Sequence, residues 1–420
     1  MNTETRKYDA IIIGAGHAGI EASLACARMG LLTLVITTNI DKIGCMPCNP
    51  STGGPAKGHI TREIDALGGE QALATDATLI HLRMLNTGKG PAVQALRAQV
   101  DRHLYEIHMR NKLEEEKNLT VVEGMVESVI IEGNKVAGVT ISSGDDFFAS
   151  GVIVTSGTFL NGMIFMGEKR IPAGRRDEPP SVGLSSSLKS AGIELHRLKT
   201  GTVPRIRFSS IDYSRLEEQE HDNSLTGFSF LTARQNDLEK VSCFITRTTE
   251  RTREVVSTNL NRAALFSGDI TGIGPRYCPS IEDKYHKFPD KIDHPVFLER
   301  EGLGVGEVYL QGLSTSLPED VQLEFVRTIP GLEDAEILIP GYAIEYDFSP
   351  PTQILPTFET KKIKGLYLAG QINGTSGYEE AGCQGLMAGI NLARQIQDGS
   401  PIILDRASAY IGILADDITT

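Results

Sequence analysis

The chain has 420 residues, 40% of them hydrophobic, with 43 glycines and a formal net charge of −13. That balance suits an α/β protein of two or three lobes and excludes indiscriminate nucleic-acid binding, because affinity for phosphates rests largely on Lys and Arg. No uninterrupted apolar stretch reaches the roughly 18 residues of a membrane helix, and the N-terminus leads straight into a strand, so a cytoplasmic, unprocessed chain without membrane contact is expected. The six cysteines lie mostly inside periodic segments, the pattern of reduced thiols rather than of a disulfide framework.

The first element is the most informative. Ala10 to Ile13 form an apolar run suited to a strand covered on both faces, and Gly14, Gly16 and Gly19 follow where the turn of a dinucleotide-binding βαβ unit needs them. Gly14 allows the tight turn, Gly16 lets a pyrophosphate approach the backbone, and Gly19 lets the helix pack closely, leaving the phosphates at the helix N-terminus. A helix of small residues, Glu21 to Met29, and a second strand, Thr33 to Ile36, complete the unit. A glycine-rich loop, Gly44 to Gly58, precedes helical segments around Ile60 to Leu67 and Ala92 to Lys117. Leu119 to Val122 and Val136 to Ile141 then read as strands of an inserted β-meander. Gly151 to Gly157 reads as a buried strand ending on glycine, and Pro179 to Ser181 as a turn.

From about Thr202 to Pro356 the texture changes to strands, Pro and Gly turns and charged residues, which marks an inserted lobe. The first texture returns at Lys364 to Gly374, followed by a Gly- and Ala-rich helix, Glu379 to Gln397, whose N-terminus offers a second positive end to an anion. Ala407 to Thr420 reads as a helix beginning. Two basic clusters, Lys169-Arg170 with Arg175-Arg176, and Arg197, Lys199, Arg205 and Arg207, are either local RNA contacts or solvated faces.

Several longer motifs occur in a fixed order: Gly14-Ala15-Gly16-His17-Ala18-Gly19, Cys48-Asn-Pro, Gly53-Gly54 with Lys57-Gly58-His59, Glu63-Ile-Asp65-Ala-Leu-Gly-Gly69, and Lys89-Gly-Pro-Ala92 with Arg97-Ala-Gln99. Leu198-Lys-Thr-Gly201, Gly274-Pro-Arg-Tyr-Cys278-Pro-Ser-Ile-Glu-Asp-Lys284, Ser314-Thr-Ser316, Gly341 to Asp347 and Gly370-Gln-Ile-Asn-Gly374 follow. Through them the chain resembles, over essentially its whole length, the MnmG/GidA family of FAD-dependent tRNA uridine 5-carboxymethylaminomethyl modification enzymes.

The resemblance implies an α/β, FAD-binding Rossmann-like fold of the glutathione-reductase type, with a β-meander and an inserted α+β second domain. In these terms residues 1–201 are the first part of the FAD-binding domain, 202–356 the inserted domain on the NADH and substrate side, 357–400 the closing part, and 401–420 the start of a helical C-terminal domain that the family normally continues. It implies that Gly14, Ala15, Gly16, His17, Ala18 and Gly19 bind the FAD diphosphate, with Val126, Ser181, Gly370 and Gln371 as further flavin contacts. It assigns Gly274, Pro275, Arg276, Tyr277, Ser280, Glu282, Asp283 and Lys284 to NADH, although the same run could be an ordinary surface loop.

By the same resemblance Cys48 and Cys278 are the catalytic pair. A thiolate suits attack on an electron-poor pyrimidine carbon, Arg276 beside Cys278 could lower its pKa, and Pro47 and Pro50 hold Cys48 in a loop. The implied activity adds a (carboxymethyl)aminomethyl group at carbon 5 of the wobble uridine, using FAD, NADH and methylenetetrahydrofolate, with the GTPase MnmE as partner and a homodimeric assembly. Two other readings stay open. One is a flavin-binding module without turnover, the C-terminal domain being the part that contributes to tRNA and MnmE binding. The other is a flavin thiol oxidoreductase using Cys45 and Cys48, although Asn49-Pro50 breaks a helix where such enzymes carry one. No metal site is expected, because no second Cys or His pair follows at suitable spacing. Cys26, Cys243 and Cys383 fall in helix-like or strand-like segments and read as structural.

Overall fold

The computed structural model describes residues 7–274 and 279–420. The strand Lys7–Ile13 runs parallel to Thr33–Thr37 on one side and to Asp146–Val154 on the other. Leu119–Glu123 extends the sheet beyond Thr33–Thr37, and Leu366–Leu368 pairs in parallel with the C-terminal half of Asp146–Val154. Ala10, Ile11 and Ile12 are wholly buried, as a run without alternation requires when helices cover both faces of a parallel sheet.

The N-terminal half of Asp146–Val154 turns to a different partner. It pairs antiparallel with Lys135–Ile141, which pairs with Val126–Glu132, so these three strands form the meander. Leu119–Glu123, expected within the meander, is instead the outer parallel strand; its backbone pairs residue for residue with Thr33–Thr37. This forked sheet is the FAD-binding Rossmann-like arrangement expected from the sequence.

Two helices pack against each other across one face of the sheet: His17–Arg28 and Tyr378–Ile396. The small residues of the second are explained by the closeness of the first. A Cβ at Gly385 would lie 1.9 Å from the Ala18 carbonyl oxygen, and one at Gly389 would lie 2.5 Å from that of Ala22. The Cys26 thiol fills the same seam, donating to the Gly389 carbonyl at 3.5 Å.

The segment Ala92 to Val100, expected as helix, is largely strand. Ala95–Val100 is the centre of a three-stranded antiparallel sheet between Ser51–Gly53 and Leu79–Leu85. Leu96 and Ala98 are buried there with Leu82 and Phe228. The helix begins only at Arg102, where the Asp101 carboxylate accepts the Leu104 N–H at 3.1 Å and caps it.

The later part of the chain builds a six-stranded antiparallel sheet in the order Glu217–Gln219, Cys243–Arg247, Pro295–Arg300, Glu307–Gln311, Arg205–Arg207, Ile337–Ile339. It has its own core, which includes Val256, Ile281, Leu310 and Phe325 from strands and covering helices. A four-stranded antiparallel sheet, Lys169–Pro172, Met163–Met166, Ala343–Phe348 and His196–Gly201, joins the two regions.

Both basic clusters are compensated. Lys169 meets Glu319 at 2.7 Å, Arg197 meets Glu345 and Asp347 at 3.0 and 2.8 Å, and Arg205 meets Glu301 at 3.1 Å. Arg170 pairs with Asp269, Arg175 with Glu178 and Arg207 with Glu336, while Lys199 is buried. Neither cluster is a bare cationic face. Among the described residues no helix is long and apolar enough to cross a membrane.

Candidate functional site

The carboxyl ends of the parallel strands open into a cleft of ≈ 1440 Å³ whose far wall comes from the six-stranded sheet. Gly14, Ala15, Gly16, His17 and Ala18 line it, as do Val126, Ser181 and Gln371; Gly19 and Gly370 stand behind the wall. The three glycines of the first turn have three separate reasons. Gly14 has φ +99°, and a Cβ there would lie 2.6 Å from the Thr155 carbonyl oxygen. A Cβ at Gly19 would sit 1.9 Å from the Gly14 carbonyl oxygen, so the helix can start this close only without one. Gly16 has nothing within 4 Å of its Cβ position, which leaves its backbone open to the cleft.

The helix that starts at His17 has no side-chain cap and no acidic residue in its first turn. Its leading N–H groups and positive dipole end are therefore available to an anion. His17 itself is buried and stacks on Tyr378 with ring centroids 4.4 Å apart. Burial lowers its pKa to about 3, so the ring is neutral, and its Nε2 is a buried polar atom without a hydrogen-bond partner. At the end of the second strand, where many dinucleotide folds place an acid for the ribose, the neutral residues Thr37, Thr38 and Asn39 line the cleft. Ser181 Oγ donates to the Val126 carbonyl at 3.4 Å, and Gln371 Nε2 donates to Tyr346 Oη at 2.8 Å. An open glycine cradle, an uncapped helix end and an orphaned ring nitrogen together fit an extended dinucleotide such as FAD.

Cys48 borders the same cleft. It is exposed on the loop that precedes Ser51–Gly53, and its Sγ lies 3.9 Å from Tyr309 Oη. The other described thiols sit in unreactive surroundings: burial pushes Cys45 up to about 11, Cys26 and Cys243 to about 12, and Cys383 well above its ordinary value. Of the residues assigned to NADH, Pro275, Arg276 and Tyr277 lie outside the described residues, as does Cys278. Lys284 lines the cleft and donates to the Gly312 carbonyl at 2.7 Å. Gly274 is exposed, and Ser280 caps the helix Ile281–Lys287 by accepting the Asp283 N–H at 3.2 Å. Glu282 points inward to accept from the Ser316 N–H and hydroxyl at 2.7 and 3.1 Å, and Asp283 sits 3.6 Å from Lys287. Among the described residues no group of three or more His, Cys, Asp or Glu is arranged to hold a metal ion.

The profile of the family described as "Glucose inhibited division protein A", GIDA, matches residues 9–400. The chain belongs to the GidA family. It is 56% identical over 415 residues to the tRNA uridine 5-carboxymethylaminomethyl modification enzyme MnmG of Thermodesulfovibrio yellowstonii, covering 99% of this chain and 66% of that protein. Its identity to the protein of the same description from Exiguobacterium sibiricum is 54% over 420 residues, all of this chain and 67% of that one. The crystal structure of Aquifex aeolicus GidA superposes with a TM-score of 0.94 at 51% identity, over 99% of this chain and 70% of that one. The chain thus spans about two thirds of the length of these curated relatives.

In this GidA-family cleft several residues do work that motif reading passed over. Tyr378 Oη accepts the backbone N–H of Cys48 at 2.8 Å and of Asn49 at 3.1 Å, which fixes the thiol loop from a helix far along the chain. Arg97 and Glu299 pair within the wall, with Gln311 accepting from Arg97 at 2.7 Å and Ser51 donating to Glu299 at 3.1 Å. Glu379 accepts the Gly53 N–H at 2.6 Å and, with Glu380, holds Lys57 at 3.4 and 2.9 Å. Arg97 and Lys57 stand inside quoted motifs, so a search for cations in the glycine-rich region would have found them. Their carboxylate partners carry no local signal.

Proposed function

We propose that this chain is the flavin- and thiol-bearing part of a tRNA wobble-uridine modification enzyme, which adds a (carboxymethyl)aminomethyl group at carbon 5 of the base. One observation carries the reading: the glycine cradle and the exposed Cys48 open into a single cleft. The high identity to proteins described as tRNA uridine 5-carboxymethylaminomethyl modification enzymes supports the choice of substrate.

In this reading the backbone of Gly14 to Gly19 holds the FAD diphosphate, while Val126, Ser181, Gly370 and Gln371 hold or support the rest. FAD bound there supplies hydride and electron transfer to or from a carbon unit. Cys48 supplies a nucleophile for the electron-poor pyrimidine ring, and Cys278 is the second thiol of the pair. The neutral His17 adds no charge beside the phosphates and offers its unpartnered Nε2 as a polar contact. Lys284 marks the cleft side of the NADH segment, which includes Gly274, Pro275, Arg276, Tyr277, Ser280, Glu282 and Asp283. Methylenetetrahydrofolate as carbon donor, MnmE as partner, a homodimer and a cytoplasmic location complete the proposal. So does the division into a FAD-binding domain in two parts, 1–201 and 357–400, around an inserted domain, 202–356, followed by residues 401–420.

The thiol-oxidoreductase alternative fares worse. A redox dithiol needs a reactive thiolate, yet burial pushes Cys45 up to about 11, and a strand rather than a helix follows the pair. The test is mass spectrometry of nucleosides from tRNA lacking the wobble modification, incubated with the chain, MnmE, GTP, FAD, NADH, methylenetetrahydrofolate and glycine or ammonium. Modified uridine with the wild-type chain and Cys45→Ser, but not with Cys48→Ser, is the expected result. A flavin-loaded chain that leaves the uridine unchanged would overturn the enzyme reading for these residues in favour of a flavin-binding module.

A further inference from the structure

The proposed chemistry needs Cys48 as a thiolate, but the motif around it, Pro47-Cys48-Asn49-Pro50, brings no cation or acid of its own. The far wall brings what the motif lacks. Arg205 and Tyr309 face each other as directly paired residues on the neighbouring strands Arg205–Arg207 and Glu307–Gln311. The Arg205 guanidinium sits over the Tyr309 ring, 5.0 Å from its centroid, and both side chains are buried. The guanidinium also donates to the Pro47 carbonyl at 2.6 Å, to the Val203 carbonyl at 3.0 Å and to Glu301 at 3.1 Å. One arginine therefore fixes both the tyrosine ring and the residue before Cys48. Tyr378 fixes the next two backbone N–H groups from the opposite side.

We infer that Tyr309 is a positioning residue for the reactive thiol: its hydroxyl donates a hydrogen bond to the Cys48 sulfur and favours the thiolate, with Arg205 holding both. The inference rests on Cys48 being the working thiol of the cleft. A phenol keeps its proton to about pH 10 in water, so it can donate to a thiolate across the neutral range. A hydrogen bond to the charged form favours that form. When Cys48 ionises, its proton goes to solvent, which the exposed loop admits, and the phenol stays protonated. A cation above the ring face makes the phenol a stronger donor. Among the described residues, the titratable and charged groups around this loop include Tyr309, Arg205 and Glu301 from the lobe, Tyr378 from the glycine-rich helix, Glu106 and Arg102 from the helix Arg102–Glu115, Tyr342, and Cys45 with Arg175 beside the loop itself.

The test follows alkylation of Cys48 in the flavin-loaded full chain with iodoacetamide from pH 5 to pH 10, read peptide by peptide by mass spectrometry, and needs no tRNA. Tyr309→Phe keeps the ring and its contact with Arg205 and removes only the hydroxyl. It should raise the midpoint of the Cys48 profile by about one pH unit, so that alkylation near neutral pH slows about tenfold and the rates converge at high pH. Replacing Tyr309 with the more acidic 3-fluorotyrosine should move the midpoint in the opposite direction. An unchanged midpoint in Tyr309→Phe, or a loss of rate by the same factor at every pH, would overturn the inference and leave Cys48 as the working thiol. A wild-type Cys48 that reacts no faster near neutral pH than the buried thiols would overturn that underlying reading and this inference with it.

Discussion

Gly16 and Gly19 stand three residues apart in one turn and are glycines for opposite reasons. At Gly19 a methyl group would occupy the place of the Gly14 carbonyl oxygen, whereas at Gly16 it would project into open space. Gly19→Ala should therefore destabilise the fold by about 2 kcal/mol or more, the scale of overpacking against an unyielding backbone. Gly16→Ala should melt within a degree or two of wild type yet retain at least about tenfold less flavin, because the added methyl stands where the diphosphate approaches. Thermal denaturation of the apoprotein and flavin titration separate the two effects; equal losses in both assays for both variants would contradict the assignment. Cys45 and Cys48 make a similar contrast. The same side chain is a half-buried thiol pushed up to about 11 at one position and an exposed one beside a tyrosine hydroxyl at the other, so the surroundings and not the Cys-Met-Pro-Cys spacing set them apart.

At the scale of elements, the cleft depends on how the three-stranded sheet is tied to the six-stranded one. Arg97 on Ala95–Val100 pairs with Glu299 on Pro295–Arg300, and the carboxylate is wholly buried. Removing one partner leaves the other charge in low dielectric, which costs far more than replacing both. Arg97→Met should lower stability by about 3–5 kcal/mol, and the double variant Arg97→Met with Glu299→Leu should recover much of it. Urea denaturation of the two variants and the wild type measures this; a double variant no more stable than the single one would mean that the pair does more than neutralise itself. The same strand shows how sequence reading failed. Ala95 to Val100 carries small and apolar residues that suit either helix or strand, and only the partners at Ser51–Gly53 and Leu79–Leu85 decide for strand.

For the molecule as a whole, buried titratable groups pull stability in opposite directions with pH. Burial lowers His17 to about 3 and His81 to about 4. Their ordinary value is near 6.5, so the unfolded chain takes up protons that the fold refuses, and stability is lost as pH falls below about 6.5. Glu21 works the other way. Burial raises it to about 7, although it accepts the backbone N–H groups of Glu70 and Gln71, so the fold holds a proton that the unfolded chain has released and stability rises as pH falls from about 7 to about 4.5. Glu21→Gln should remove that compensation, and its loss of stability between pH 7.5 and pH 5 should exceed that of wild type by about 2 kcal/mol. Denaturant midpoints at the two pH values check it; parallel profiles would exclude Glu21 as the compensating group.

The first turn was legible because its signal is local: three glycines within six residues mark the positive-φ turn, the open backbone and the close helix, even though Thr155 on a distant strand adds to the crowding at Gly14. The glycine-rich helix and the loop that exposes Cys48 were legible for the same reason, through small residues and flanking prolines. The wall opposite them was not. Tyr309 and Tyr378 reach Cys48 across 261 and 330 residues of chain, and no periodicity in either segment announces a partner. The partners of the basic clusters were hidden in part for the same reason, since Glu178 stands three residues from Arg175 but the carboxylates that meet Lys169, Arg197 and Arg205 come from far along the chain. The sequence by itself determined the family and the dinucleotide turn, and put Cys48 forward as the thiol to follow, because each rests on residues that are neighbours in the chain. Tertiary structure alone decided which phenol, guanidinium and carboxylates surround that thiol, because a hydrogen bond acts over about 3 Å in space and is indifferent to separation along the backbone.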